Sequence, residues 1–356
     1  MNGIHRLRLF VFWIAAACSA MGTIPQGVQA APATVAEIAN YTGADRDAIL
    51  EAGARKEGEA LLYTTGTQIE PILIRFREKY PYLKLNVYRG DSADVVRRIT
   101  EEYGARRHVA DTIVLNAGGL GFMREAGILQ PFRTPEETAY PDDAKEPNRH
   151  WINAYEAYVS LGFNTKLVPA DQAPKTWDDL LDPKWHGKMA LSGRSSTFAH
   201  WVGNLVLTKG QDFVMRLGKQ NLAVYEISGR ALSNLIVSGE VALSPEIYDS
   251  HMANSARQGA SVSWRALGSV YAGAGAAAVA NKAPHPHAAM LLLDFFLSKE
   301  GQAMRMEIGD ASARTDLSTG ARPSQILYLE DRPNYAKEFE DWMALGEKAF
   351  GPARKK

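Results

Sequence analysis

Thr176–Trp201 reads TWDDLLDPKWHGKMALSGRSSTFAHW, and its order of signals is helix, turn, strand, polar loop, helix. Thr176 can cap a short helix, with Asp179 three residues on as the reciprocal partner and Asp178 in the positive first turn. Asp182-Pro183 stops that helix. The chain turns around Gly187, and Met189-Ala190-Leu191 is a short buried strand. Ser192 to Thr197 then opens a second helix, whose apolar residues Phe198, Trp201, Val202, Leu205 and Val206 fall at helical spacing. A helix start offers unpaired N–H groups and the positive end of the dipole. Ser195, Ser196 and Thr197 add hydroxyls and Arg194 a charge, so the junction reads either as an anion site or as a plain N-cap of small polar residues.

Working outward, units of strand and helix recur. Ala60–Tyr63 is an apolar strand with Thr64–Gln68 as its exit, and a helix follows from Ile69 to Tyr80, with Pro71 tolerated in its first turn. Leu83, Leu85 and Val87 alternate with polar residues as in a half-buried strand. A helix to Tyr103 follows, then a strand Thr112–Leu115 with Asn116–Gly119 as its exit loop. Strand-helix-strand-helix-strand implies a mainly parallel sheet, in which ligands bind at the carboxyl ends of the strands. That rule puts Thr65, Gly66 and Thr67 on one rim with Asn116. Further on, Ser228-Gly229-Arg230 opens another helix, and a strand Val241–Leu243 leads into Ser244–Tyr248. Ala272–Ala280 is a small-residue return strand, with no phosphate-loop pattern in it.

Several stretches together resemble a known family. They are WDDLLDPKWHGK with its following strand and polar loop, YTTGT at Tyr63–Thr67, VADTIVLNAGG at Val109–Gly119, REAGILQPF at Arg124–Phe132, SGEVALSPEIY at Ser238–Tyr248 and FFLSKEGQ at Phe295–Gln302. The chain resembles the periplasmic solute-binding proteins of bacterial ABC importers, the ferric-ion-binding group in particular. The resemblance implies a two-lobed α/β fold, a sheet flanked by helices in each lobe, with Tyr155–Asn164 as a crossover strand and a ligand cleft that closes like a flytrap. It places one lobe at 31–157 plus 268–310 and the other at 158–267 plus 311–356. It implies a monomer that catalyses nothing and hands its ligand to a membrane permease and its ATPase.

The resemblance leaves the ligand open. In the ferric-binding group two adjacent tyrosines follow a strand; here Tyr248 matches the second and Ile247 stands at the first. Thr67 stands near the group's usual histidine and Asn116 at its acidic position. Bare Fe³⁺ wants hard anionic oxygens, and only Tyr248 and Glu246 offer them. Ser195, Ser196 and Thr197 match the group's anion-binding helix start, and Arg230 suits bidentate capture of an oxyanion. The favoured expectation is an oxyanion-bearing molecule, or a metal with its own chelating anion, held between Thr65–Thr67 and Arg230 with Tyr248 as donor. Free ferric iron on Tyr248 is the alternative, and an exported hydrolase using Ser195 is a third.

Composition narrows the classes. The 356 residues carry 40 basic and 40 acidic side chains, a balance that argues against a nucleic-acid partner. Arg6 and Arg8, the apolar run Leu9–Ala20 and Val28-Gln29-Ala30 read as an export leader over residues 1–30. The leader holds two basic residues and no acidic one, so the remainder carries a net −2. Cys18 is the only cysteine, which removes thiolate and Cys-metal chemistry from the mature chain, or marks a lipoprotein if it is acylated. Mass spectrometry of periplasmic protein should show Ala31 as the first residue; a lipid-modified Cys18 would overturn that reading.

Overall fold

The computed structural model describes residues 34–66, 69–193, 195–317, 322–330, 332 and 334–352. The leader, Thr67 and Arg194 lie outside the described residues. The described residues begin with two helices, α1 (Val35–Asn40), opened by a Thr34/Glu37 capping box, and α2 (Arg46–Glu57). Then come β1 (Glu59–Thr64), α3 (Glu70–Lys79), β2 (Lys84–Arg89), α4 (Ser92–Gly104), β3 (Thr112–Asn116), α5 (Ala117–Glu125) and β4 (Leu129–Gln130). The long β5 (Ile152–Asn164) follows. After it come β6 (Ala190–Leu191), α6 (Ser196–Lys209), α7 (Gln211–Gly218), β7 (Ala223–Val224), α8 (Gly229–Ser238), β8 (Leu243–Tyr248), α9 (Asp249–Arg257) and β9 (Val262–Arg265). The chain returns through β10 (Val270–Ala280), α10 (Pro286–Leu297) and α11 (Lys299–Ile308), and ends with β11 (Ile326–Leu327) and α12 (Tyr335–Phe350).

Among the described residues the main sheet has nine strands. Its path runs β2-β1-β3-β10-β5-β8, with β4 and β11 on β10 and β9 on β5. The β2-β1-β3 part is parallel, β10 runs antiparallel beside β3, and β5 is antiparallel to β10 in turn. A separate parallel pair, β6 and β7, carries Ala190 and Leu191. No described helix is long and apolar enough to cross a membrane.

Two large hydrophobic cores divide this sheet. One gathers residues from Ile38 to Ala154 with Ala276 to Ala313, and the other gathers Val159 to Leu267 with Tyr271, Leu329 and Trp342. β5 puts Ile152 and Ala154 in the first core and Val159, Leu161 and Phe163 in the second; β10 puts Ala276–Ala280 in the first and Tyr271 in the second. The chain therefore changes cores three times, within residues 155–158 and 272–275, side by side in the sheet, and again between Ala313 and Leu329.

Several local readings change in three dimensions. Asp178–Leu181 is one 3₁₀ turn instead of an α-helix, although the Thr176/Asp179 cap forms as its sequence requires. Asn116 does not open a loop: it caps α5 directly, accepting from the Gly119 N–H at 3.3 Å. Ser244–Tyr248 is likewise no exit loop, because β8 pairs with β5 as far as Tyr248 despite Pro245. His285 and His287 sit at the entrance of α10 against the carboxylates of Asp111 and Glu57.

The tail helix α12 lies on α6 and α7 through glycines. A Cβ on Gly203 would stand 2.6 Å from the Trp342 ring, one on Gly346 2.6 Å from Phe198, and one on Gly218 only 2.1 Å from the backbone oxygen of Ala349. A backbone atom cannot swing aside as a side-chain tip can, so Gly218→Ala should destabilise the fold by about 1–3 kcal/mol through overpacking. A lowered urea midpoint with an unchanged slope would show this, and an unchanged midpoint would refute it.

Candidate functional site

Where the two cores meet, β8, β5 and β10 lie side by side, and strand register decides which side chains share a face. Val159 pairs with both Tyr248 and Tyr271, Ala157 with Gly273, and Gly275 with both Tyr155 and Asn116. Residues directly opposite each other point the same way and successive residues alternate. Tyr155, Tyr248, Tyr271 and Asn116 therefore stand on one face around a floor of Gly273, Ala157 and Gly275.

Gly275 is what lets the Tyr155 ring lie there, and the other two phenols reach over Gly273. A Cβ on Gly273 would be 3.4 Å from the Tyr271 hydroxyl and 3.5 Å from the Tyr248 hydroxyl, so both phenols reach over one residue. A Cβ on Gly275 would be 2.0 Å from the Tyr155 ring. Around this trio, Thr197 at the start of α6 places its hydroxyl 3.3 Å from that of Tyr248, and Thr65 at the end of β1 hydrogen-bonds Tyr155. A Glu330 carboxylate oxygen accepts from the Tyr271 hydroxyl at 3.2 Å. His200 stacks on Tyr271 at 4.4 Å between centroids and contacts the Tyr335 hydroxyl at 2.8 Å. A cavity of about 1170 Å³ opens beside the cluster, with Asn116, Gly118, Glu330 and Tyr335 among its walls.

Burial sets the ionisation of this face. It pushes the Tyr248 phenol up to about 12, and the Thr197 hydrogen bond works in the other direction. Tyr271 is raised well above the ordinary phenol value by burial, with the Glu330 charge adding to the effect, and Tyr155 is raised for the same first cause. The Arg305 guanidinium lies over the Tyr155 ring at 4.4 Å and favours its phenolate. Burial lowers His200 and His251 to about 4, so both are neutral at ordinary pH. The face is thus a set of neutral phenols that an incoming cation would have to deprotonate. Among the described residues no three His, Cys, Asp or Glu side chains gather to hold a metal, so a hard ion here would rest on the phenols.

The residues expected from sequence fall into three groups. Thr65, Thr197 and Tyr248 join the cluster, with Gly66 next to Thr65 folded back onto the Thr64 hydroxyl. Asn116 is on the right face, but its side-chain oxygen is engaged by Ser92 at 2.9 Å as well as by Gly119. The third group is turned elsewhere. Ser195 caps α6 through the Phe198 N–H and leans on the Glu246 carboxylate, which also accepts the Ser192 N–H and hydroxyl. Ser196 is exposed, and so is Arg230, whose charge is felt by His251. Arg230 does not join Thr65 in the structure, whose polar cluster at the junction is centred on Tyr155, Tyr248 and Tyr271. Sequence reading missed Tyr155, Tyr271 and Glu330. Alternation of Tyr271 with Gly273 and Gly275 was the available signal for the second; Glu330 left none.

The architecture, two cores sharing one sheet with β5 and β10 crossing between them, is the two-lobed α/β fold of periplasmic binding proteins. The chain belongs to the bacterial extracellular solute-binding protein family, whose profile matches residues 108–322. Iron-bound HitA from Pseudomonas aeruginosa superposes with a TM-score of 0.63 at 21% identity, over 82% of this chain and 99% of that one. The Trichodesmium IdiA (FutA) protein in complex with iron and citrate gives 0.67 at 19% identity, over 83% and 100%. In sequence, "Iron uptake protein A1" of Synechocystis is 24% identical over 139 residues, which is 38% of this chain and 38% of that relative. A Haemophilus influenzae protein is 24% identical over 278 residues, 72% of this chain and 78% of its own. The family binds solutes and catalyses no reaction on them.

Glu246 behind α6 supplies a pH test. Burial raises its carboxyl from 4.5 to about 7 against its hydrogen bonds from Ser192 and Ser195. The folded chain then holds this proton more tightly than the unfolded chain does, so the associated stability is full below pH 4.5 and is lost as pH rises to about 7. Glu246→Gln should lose less stability than the wild type between pH 5 and pH 8 in urea titrations. Parallel pH profiles would overturn the assignment.

Proposed function

We propose that this protein captures ferric iron in the periplasm and delivers it to an ABC importer, through a membrane permease and its ATPase. The convergence of the Tyr155, Tyr248 and Tyr271 hydroxyls with the Glu330 carboxylate over the Gly273–Gly275 floor carries this reading. Phenolate and carboxylate are the hard anionic oxygens that Fe³⁺ prefers. The named functions of the similar proteins point the same way: one is an iron uptake protein, and solved structures hold iron.

The site lies where the chain changes cores, so an ion gripped there would bind best in one relative position of the lobes and would shift the protein toward it. We take the lobes as 31–157 with 268–310 and 158–267 with 311–356, and residues 1–30 as the export leader. The division of the hydrophobic residues into two cores supports the first of these assignments.

A second reading adds a small chelating anion to the metal. Thr197 at the start of α6, in contact with Tyr248, favours it, because a helix N-terminus beside the ion could accept such an anion. Arg230, exposed on α8, has no role in either reading.

Titration of the metal-free protein with ferric nitrilotriacetate should produce the visible colour of tyrosinate bound to iron. Tyr248→Phe should abolish it, Tyr271→Phe should weaken it, and Arg230→Ala should leave it unchanged. Acidification should release the iron, since protons compete for the phenolates. Colourless, tight binding of carboxylates or phosphonates, lost in Arg230→Ala, would restore the oxyanion reading instead.

A further inference from the structure

At the end of β3, where a carboxylate would complete a hard-ion site, the chain carries Asn116, and its side-chain oxygen is committed to Ser92 and Gly119. The acid on this face comes from elsewhere. After β10 and two helices the chain returns as β11, which pairs in parallel with β10, Ile326 against Val270 and Leu327 against Tyr271. This pairing lays the segment directly along the strand that carries Tyr271. Three further contacts fix it. Tyr328 donates its hydroxyl to the buried Glu156 of β5. Arg322 pairs with the same carboxylate at 3.2 Å and with Asp143 at 3.1 Å. Leu329 is fully buried in the core that holds Trp201 and Trp342.

Glu330 is therefore held one residue beyond an anchored leucine. Its carboxylate oxygen is 3.2 Å from the Tyr271 hydroxyl, and its Cβ lies 3.5 Å from where a Cβ of Gly118 would stand on α5. One side chain thus touches β10 at the junction and the first-core helix that starts beside Asn116. An alanine at 118 would stand in ordinary van der Waals contact with it.

We propose that Glu330 is the carboxylate ligand of the captured ion, supplied by the segment that follows β11 in place of the end of β3. In the metal-free state this carboxylate opposes ionisation of the neighbouring phenols. A trivalent cation reverses that relation, because carboxylate and phenolates then share one positive charge centre. The segment after β11 is thereby part of the binding site, and it joins the ion to both sides of the junction. The inference rests on the ferric reading.

The test compares wild type, Glu330→Gln and Glu330→Asp, each loaded from ferric nitrilotriacetate and then stripped by competing citrate. Glu330→Gln should hold iron roughly tenfold or more weakly. Its tyrosinate-to-iron absorption should remain but move in position, because the ligand set has changed while the phenols stay. Glu330→Asp, which keeps the charge on a shorter arm, should fall between the two and keeps the comparison open if the glutamine variant folds poorly. Wild-type affinity and an unmoved absorption in Glu330→Gln would overturn the assignment of Glu330 and leave the ferric reading intact. Absence of any absorption in the wild type would overturn the ferric reading itself, and this inference with it.

Discussion

The close approach of β5 and β10 over glycine is the constraint on which the rest depends. Gly275 offers no side chain where the Tyr155 ring needs room, and Tyr248 and Tyr271 reach over Gly273 at van der Waals distance, so three large polar rings lie against one face of the sheet. The same two strands are the segments in which the chain passes from one hydrophobic core to the other. Site and junction are therefore one piece of structure. A ligand pulling on these hydroxyls acts on the strands that join the lobes.

The second core and the tail helix serve this arrangement from behind. α6 delivers Thr197 to Tyr248 at its start and His200 to Tyr271 one turn later, while its glycine face receives Trp342 of α12. Burial of Trp201, Phe198 and Trp342 contributes hydrophobic stabilisation on the order of a few kcal/mol for each large side chain. That packing holds the start of α6 in register with β8. The buried carboxylates follow a different logic. Glu246 is satisfied by Ser192 and Ser195, and Glu156 by Tyr158, Tyr328 and Arg322. Such networks tie loops and strands to one another, and removing a single partner leaves a costly orphan.

Much of this was legible in local chemistry. The Thr176/Asp179 cap, the start of α6 at Ser195 and the return strand rich in glycine and alanine follow from spacing and residue type, and the crossover role of YEAYVSLGFN follows from the resemblance to the family. Tyr248, Thr65 and Thr197, expected from sequence to lie at a ligand site, stand together at the junction of the cores. Arg230 was not as expected. A helix-start arginine looks like an anion clamp in sequence, but only the orientation of α8 decides what it faces, and it faces solvent near His251.

What the sequence by itself determined is the class of fold, because alternation, helix caps and turn residues act over a few positions and need no distant partner. It also determined the family, which rests on those same local stretches. The tertiary structure alone decided which side chains meet at the junction of the cores. Tyr155, Tyr271 and Glu330 are separated by more than a hundred residues at the widest, and they meet only because β10 pairs with β5 on one edge and with β11 on the other. Register between strands distant in sequence is fixed by the cooperative packing of both cores, and no local pattern around a glutamate near the end of the chain encodes it.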